Sequence, residues 1–292
     1  MIKSINQVYA LIRPGTAEQH APIVVDSPHS GTIYPFNTGI VAPSQALKTT
    51  WDAFVDELWE GAPAVGAPLL AARFPRAYID PNRSPADIDD TLLDEPWPTP
   101  LAPSAACKRG MGLIRLNALP GVPMYEGKLS AREIRHRLDQ YYLPYHAVLK
   151  AQIDTAVERF GKVWHINCHS MKSVGNAMNV DNGAVRPDIV VSDRNGTSAS
   201  SEFTEWVASS FDAKGYKVLI NMPYQGGHIV TEYGDPQRGR HSVQIEIKRG
   251  IYMDETAFEK NDGFADLQRD ISRFLGELAA YAAGHVDSAT AG

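Results

Sequence analysis

Two cysteines in 292 residues, Cys107 and Cys168, are too few for a disulfide framework, and such a chain fits a reducing compartment. No stretch approaches the ~18 consecutive apolar residues of a membrane span. The opening MIKSINQVYALIRPG holds too short an apolar run for the hydrophobic centre of a secretory signal. Cytoplasm is therefore the expected compartment. Excess positive charge is missing as well: 28 Lys and Arg stand against 34 Asp and Glu, a formal charge of -6. No basic run offsets that balance, which argues against a nucleic-acid surface. A small anionic partner stays open, because one pocket can hold positive charge that the total hides. No internal repeat occurs at any period. What is there, 43% hydrophobic and 21% charged residues, describes a globular chain long enough for a sizeable core.

Short apolar strands alternate with amphipathic helical stretches. Strands are predicted over 22–26, 69–72, 77–79, 163–167, 188–192, 217–221 and 242–247, and helices over 44–60, 130–160, 200–214 and 262–283. The second helix carries Leu129, Ile134, Leu138, Tyr141, Tyr142, Val148, Leu149, Ile153 and Val157 at helical spacing. Pro144 predicts a kink or break in it, and Ser130-Ala131-Arg132-Glu133 at its start reads as a capping box. Strands separated by such helices imply crossover connections and a central mixed, largely parallel sheet, hence an α/β fold. Residues 92–123 contain six prolines and little periodicity, and read as an excursion over the surface or the rim of a site. One domain over 1–285 with elaborated loops, followed by a disordered tail at 286–292, is the expected organisation.

Two histidine-bearing loops follow apolar strands: His29 after IVVDSP and His169 after VWHINC. Strand ends of a parallel or mixed sheet meet at one edge, where ligands bind, so both histidines are candidate metal ligands. Alternation puts His165 inside its strand, where a core histidine hydrogen-bonded to a neighbour is the ordinary reading. A metal site needs a third group, and a catalytic zinc takes three protein ligands. TTWDAFVDELW offers Asp52 and Asp56 at i, i+4 of one helix, either a ligand or a solvated acid near a helix N-terminus.

Glu246 lies in HSVQIEIKRGIYMDE, where Val243, Ile245 and Ile247 alternate with Gln244, Glu246 and Lys248. On a half-exposed sheet it faces solvent; on a central strand it is paired or functional, and beside an activated water it is a natural general base. Asn82 and Arg83 follow a short apolar run. Arg83 is either a bidentate carboxylate clamp or a salt-bridge partner of Asp80, Asp87 or Asp89. NMPYQGGHIV has the glycines of a close backbone approach without the spacing of a phosphate loop. Cys168 beside His169 suggests a thiol nucleophile, but adjacent residues of an extended chain point to opposite faces, which favours an inert buried cysteine.

Taken in order, VDSPHSGTIYP, TTWDAFVDELW, AYIDPNRSPADID, YEGKLSAREIRHRLDQYYLPYH, CHSM, DIVVSDRNGTSAS, NMPYQGGHIV and HSVQIEIKRGIYMDE resemble the N-formylglutamate amidohydrolase family. They cover most of the chain between residues 23 and 255. The resemblance implies a fold similar to zinc carboxypeptidases and aspartoacylases. It implies zinc held by His29 and His169. In the carboxypeptidase pattern an acid follows the first histidine as H-x-x-E, whereas His29-Ser30-Gly31-Thr32 has none; the resemblance implies that the third ligand lies on the following helix, at Asp52, where the broader family keeps an acid, with Asp56 as the alternate. Asn82 and Arg83 look like the pair that holds a substrate carboxylate, and Glu246 like the general base. His228 and Arg249 are the candidates for a second substrate carboxylate.

The implied reaction is zinc-dependent hydrolysis of N-formyl-L-glutamate to formate and L-glutamate, the last step of one histidine-degradation route. The partner is then a small anionic N-formyl amino acid, with no nucleic acid and no membrane. Two alternatives stand beside it. One is the same chemistry on another N-acyl amino acid or a small peptide. The other is a metal-retaining binding protein without catalysis, against which the presence of Glu246 speaks.

Overall fold

Eight strands join in one mixed sheet in the computed structural model, which describes residues 1–286. They are β1 (Ile2–Ile5), β2 (Tyr9–Arg13), β3 (Ile23–Ser27) and β4 (Leu69–Ala72), then, beyond a small ribbon of β5 (Asn117–Leu119) and β6 (Val122–Pro123), β7 (Val163–Met171), β8 (Ile189–Ser192), β9 (Val218–Ile220) and β10 (Arg240–Lys248). A second ribbon joins β11 (Met253–Asp254) to β12 (Glu259–Lys260). The order across the large sheet is β1-β2-β4-β3-β7-β10-β8-β9. The central strands β4, β3, β7 and β10 run parallel, while β2 and β8 flank them antiparallel. The expected α/β domain with a mixed, mostly parallel sheet is what the chain adopts. Of the tail expected at 286–292, residues 287–292 lie outside the described residues.

Seven α-helices are described: α1 (Ser44–Lys48), α2 (Val55–Leu58), α3 (Ala131–Arg137), α4 (Leu143–Phe160), α5 (Ser201–Asp212), α6 (His228–Tyr233) and α7 (Gly263–His285). Period-two alternation divides the sheet into two unlike faces. Ile23 and Val25 of β3, Trp164, Ile166 and Cys168 of β7, and Val243, Ile245 and Ile247 of β10 form one apolar face under α2, α5 and α7. Phe203 of α5 and Leu267, Ile271 and Phe274 of α7 complete that core, each such side chain contributing about 1.5–3 kcal/mol on burial. The opposite face lies under α4, which packs Tyr145, Leu149 and Ile153 onto it.

That second face is polar along its centre. Asp26 of β3, His165 and Asn167 of β7, and Ser242 of β10 are all at most 1% exposed and close a hydrogen-bonded row. Asp26 Oδ1 accepts from His165 Nε2 at 2.9 Å and from Asn167 Nδ2 at 2.7 Å, and its Oδ2 accepts from Tyr145 of α4 at 2.7 Å. His165 is thus the core histidine its position suggested, with Nδ1 2.7 Å from Ser242 Oγ. Through Tyr145, Asp26 ties α4 to the sheet. Asp26→Ala would strand three buried polar partners, so we expect a loss of about 3–5 kcal/mol in denaturant unfolding. A loss below 1 kcal/mol would show that the row carries little stability.

Four expectations need correction. The helix over 44–60 is broken: α1 ends at Lys48 and α2 begins at Val55, with Phe54 between them at φ +61°. Hydrogen bonds from Asp52 N to His29 O (3.2 Å) and from Trp51 Nε1 to Ser30 O (2.8 Å) hold the intervening turn against the loop after β3. Propensity favoured a continuous helix and tertiary contacts overrode it. Second, 77–79 is a buried turn, with Tyr78 N bonded to Pro75 O. Burial there mimicked a strand. Third, the N-terminal residues form the two antiparallel strands β1 and β2, which sequence reading missed. Fourth, the helix over 130–160 stays unbroken at Pro144: Leu138–Tyr142 winds as a π-helical turn joining α3 to α4. A π turn relocates the hydrogen bond that proline cannot donate. Of the expected capping box only one half forms: Ser130 Oγ accepts from Glu133 N at 3.2 Å, while the Glu133 carboxylate receives Arg137 Nε at 2.9 Å.

Candidate active site

β3 and β7 both run to the same edge of the sheet: His29 sits in the loop after β3, whereas His169, expected in a loop, lies inside β7, which extends to Met171 and pairs it with β10. The loop after β3 turns sharply because Gly31 presses against the next strand exit; a Cβ on it would stand 2.3 Å from Phe74 O. His29 Nδ1 then lies 3.2 Å, and His169 Nδ1 3.0 Å, from the same oxygen, Oδ2 of Asp52. The three residues are each about 1% exposed, and their ligating atoms lie within 4.8 Å of one another. Tetrahedral zinc with nitrogen and oxygen ligands at about 2.0–2.2 Å separates its ligands by roughly 3.3 Å. The two observed approaches match that spacing, and two imidazoles with a carboxylate are the donor set zinc takes.

The outward nitrogens support the same reading. His29 Nε2 lies 2.7 Å from Asp80 Oδ1, and Asp80 is itself gripped by Arg76 through Nη2 (2.6 Å) and Nε (3.1 Å). His169 Nε2 lies 2.8 Å from Asn167 Oδ1, whose orientation is set because Asn167 Nδ2 donates to Asp26. A hydrogen-bonded outer nitrogen leaves Nδ1 as the free donor, the arrangement that metal-ligating histidines require. Arg249 donates Nη2 to Asp52 Oδ1 at 2.9 Å, Nη1 to Thr49 O at 3.0 Å and Nε to Ser170 Oγ at 3.1 Å. Its guanidinium is thus committed to aiming Asp52. Burial works to raise the Asp52 carboxyl, but the close approach of His169 and His29 and the charge of Arg249 hold it well below the usual range. Asp56 sits apart on α2, its backbone N bonded to Ser30 Oγ at 3.1 Å, and burial pushes its carboxyl up to about 6.

Glu246 is directly opposite His169 in the parallel register of β10 on β7. It shares the polar face with Gln244, whose Nε2 donates to Glu246 Oε1 at 2.9 Å. β10 is thus a central strand, and Glu246 faces a cavity rather than bulk solvent. Burial raises its carboxyl above the ordinary value, against the charges of His169, Arg76 and Arg186. Asn82 knits the floor: Nδ2 donates to Gln244 Oε1 (3.1 Å), and Oδ1 accepts from Ile229 N (2.8 Å). Gly227 lies so close that a Cβ there would stand 2.4 Å from the Asn82 amide, the close approach foreseen in NMPYQGGHIV. Arg83 donates Nε to Met111 O at 2.8 Å and Nη1 to Asn82 O at 3.2 Å, with Asp87 3.9 Å away.

A cavity of about 550 Å³ opens over these groups. His29, Asp52, Asn82, Arg83, His169, Glu246 and Arg249 all line it, whereas Asp56 and His228 do not. His228 begins α6, its ring 5.9 Å from that of His146. Seven arginines and Lys172 line the cavity against two carboxylates, Asp52 and Glu246. An acidic chain therefore presents a basic pocket. The proline-rich excursion supplies part of this wall through Arg109, Met111 and Arg115. Sequence reading missed Asp80, Arg76, Arg115, Lys172 and Gln244. Alternation alone could have found Gln244, two residues before Glu246, and the Asp80-Pro81-Asn82 step could have found Asp80. Arg115 and Lys172 carry no local signal.

Two other chemistries do not fit. Cys168 is fully buried in the apolar core, and burial lifts its thiol well above the ordinary value. Ser242, His165 and Asp26 stand in the order of a nucleophilic triad, but they are sealed under α4 and none lines the cavity.

The sequence profile of the N-formylglutamate amidohydrolase family matches residues 21–253. N-formylglutamate deformylase of Pseudomonas putida is 30% identical over 240 residues, 80% of this chain and 83% of that protein. The protein of the same name from Pseudomonas aeruginosa is 30% identical over 264 residues, 87% of this chain and 91% of that protein. The crystal structure of N-formylglutamate amidohydrolase from Ralstonia eutropha JMP134 superposes with a TM-score of 0.90 at 41% identity, covering 96% of this chain and all of that one.

Proposed function

The chain belongs to the N-formylglutamate amidohydrolase family, and from that premise we propose that it hydrolyses N-formyl-L-glutamate to formate and L-glutamate with a metal, zinc, held by His29, Asp52 and His169. The observation that carries this reading is a buried His-Asp-His group at the floor of a cationic cavity, with a carboxylate opposite one of its histidines. When bound, zinc supplies Lewis-acid polarisation of the formyl carbonyl and makes water acidic enough to react near neutral pH. Glu246 takes the proton of the attacking water and passes it to the departing amine nitrogen; its raised carboxyl suits both halves of that transfer. Arg76, whose Nη1 lies 4.0 Å from Asp52 Oδ1, is the cation best placed to steady negative charge on the formyl oxygen. Arg83 keeps Nη2 without a bonded partner among the described residues and offers it to the α-carboxylate. A dianionic substrate fits the excess of arginine around the cavity.

Two buried free cysteines and the lack, among the described residues, of any helix long and apolar enough to cross a membrane accord with a cytoplasmic enzyme. The histidine-degradation role belongs to the same reading. Formate release tests it: turnover is expected with N-formylglutamate and about 10- to 200-fold less with N-acetylglutamate, whose acyl carbon carries an extra methyl group. Preference for the acetyl compound would move the assignment to another N-acyl amino acid.

A further inference from the structure

Among the eight basic side chains around the cavity, most have their charge or their donors engaged. Arg76 is held by Asp80, Arg186 by Asp181 at 2.7 and 2.9 Å, and Arg249 by Asp52. Arg109 donates Nε to Met178 O at 2.8 Å. Two differ. Arg115 is 6% exposed, its Nε is buried without any hydrogen-bond partner, and no carboxylate bridges it among the described residues. Lys172, one residue beyond β7, likewise has no side-chain partner there.

An unpaired buried guanidinium is destabilising, and proteins keep one where a ligand completes it. We propose that Arg115 and Lys172 seat the γ-carboxylate of the substrate and thereby set the preference for N-formylglutamate over formylated amino acids without a second negative charge. This rests on the deformylase reading and deepens it, and it gives the second carboxylate to residues other than Arg249 and His228. Arg249 has Nε, Nη1 and Nη2 each bonded within the protein, to Ser170, Thr49 and Asp52, and its charge is paired with Asp52, while His228 lies outside the cavity lining.

Reach supports the assignment. Lys172 follows His169 by three residues, at most roughly 10 Å of chain, lines the same cavity, and is close enough to Arg115 and Arg249 for their charges to act on it. The formyl and γ-carboxyl carbons of N-formylglutamate are five bonds, about 6 Å, apart when extended. Electrostatics agrees. Burial, with the charges of Arg76 and Arg83, pushes Arg115 down to about 9. Burial, with Arg249 and Arg115, pushes Lys172 down to about 8. Both groups carry positive charge that their surroundings oppose, which an arriving carboxylate relieves.

The test compares Arg115→Met, Arg115→Lys and Lys172→Met in the metal-loaded enzyme with two substrates of equal length, N-formylglutamate and N-formylglutamine. Arg115→Met is expected to raise KM for N-formylglutamate roughly 10- to 100-fold, to change KM for N-formylglutamine less than about threefold, and to leave kcat for either within that range. Arg115→Lys recovers part of the loss, and Lys172→Met shows the same split. Arg115→Met also keeps or raises the melting temperature, because it removes an unpartnered charge; a purely structural arginine would lower it. Equal losses on both substrates overturn the proposal, in Lys172→Met as well as in Arg115→Met. Calorimetric binding of L-glutamate against L-glutamine reads the same seat without turnover. If the wild type releases no formate yet loses glutamate binding on Arg115→Met, the deformylase reading fails and the seat stands. Formate release with unchanged glutamate binding in the variant removes the seat alone.

Discussion

Glu246→Gln is expected to lower kcat for formate release by about 10²–10⁴-fold while metal content and KM stay near wild type. Gln is isosteric, and its side-chain oxygen can still accept from Gln244 Nε2, so the floor built by Gln244 and Asn82 survives. What disappears is the ability to take and return a proton. The register that sets Glu246 opposite His169 belongs to the β7–β10 pairing and does not depend on the carboxylate's charge. A structural role would show instead as a lowered melting temperature with modest kinetic loss. Single-turnover and steady-state formate assays, with metal measured on the same sample, separate the two. Turnover within about threefold of wild type would remove Glu246 as the base.

The second large effect concerns the metal. His29→Ala, Asp52→Ala and His169→Ala are each expected to bring bound zinc from near one equivalent to near zero, and activity with it, whereas Asp56→Ala keeps the metal. The two Nδ1 atoms converge on one Asp52 oxygen, so removing any member leaves two donors where zinc takes three. Asp52→Ala also releases Arg249 from its only carboxylate among the described residues. Asp52→Asn is therefore the companion variant: it keeps the Arg249 hydrogen bond while weakening ligation. Elemental analysis after gel filtration reads all of these. Stoichiometric zinc in His29→Ala would withdraw His29 from the ligand set.

Legibility varied with the range of the determining contact. Strands whose apolar runs lie in the sheet centre were readable, and the two strand-end histidines with them, because period and position are local properties. Glu246 needed its strand to be central, which alternation in 242–247 left open and the pairing of β10 with both β7 and β8 delivers. Asp52 was found by residue type but placed on the wrong element. The chain breaks between α1 and α2 because the His29–Ser30 loop offers backbone acceptors, a contact across more than twenty residues that helix propensity does not contain. Arg115 and Lys172 were invisible for a related reason: what marks them is the absence of a partner, and absence is a property of the folded neighbourhood. Asp26, three residues before His29 in sequence, points into the core and reaches His169 through Asn167.

The most direct test of the central claim is formate release from N-formylglutamate by one preparation taken through metal removal and reloading. Dialysis against a chelator is expected to abolish release, and one equivalent of zinc to restore it, with calcium or magnesium failing because the site offers two imidazole nitrogens rather than an oxygen cage. Undiminished formate release from verified metal-free enzyme would contradict the account.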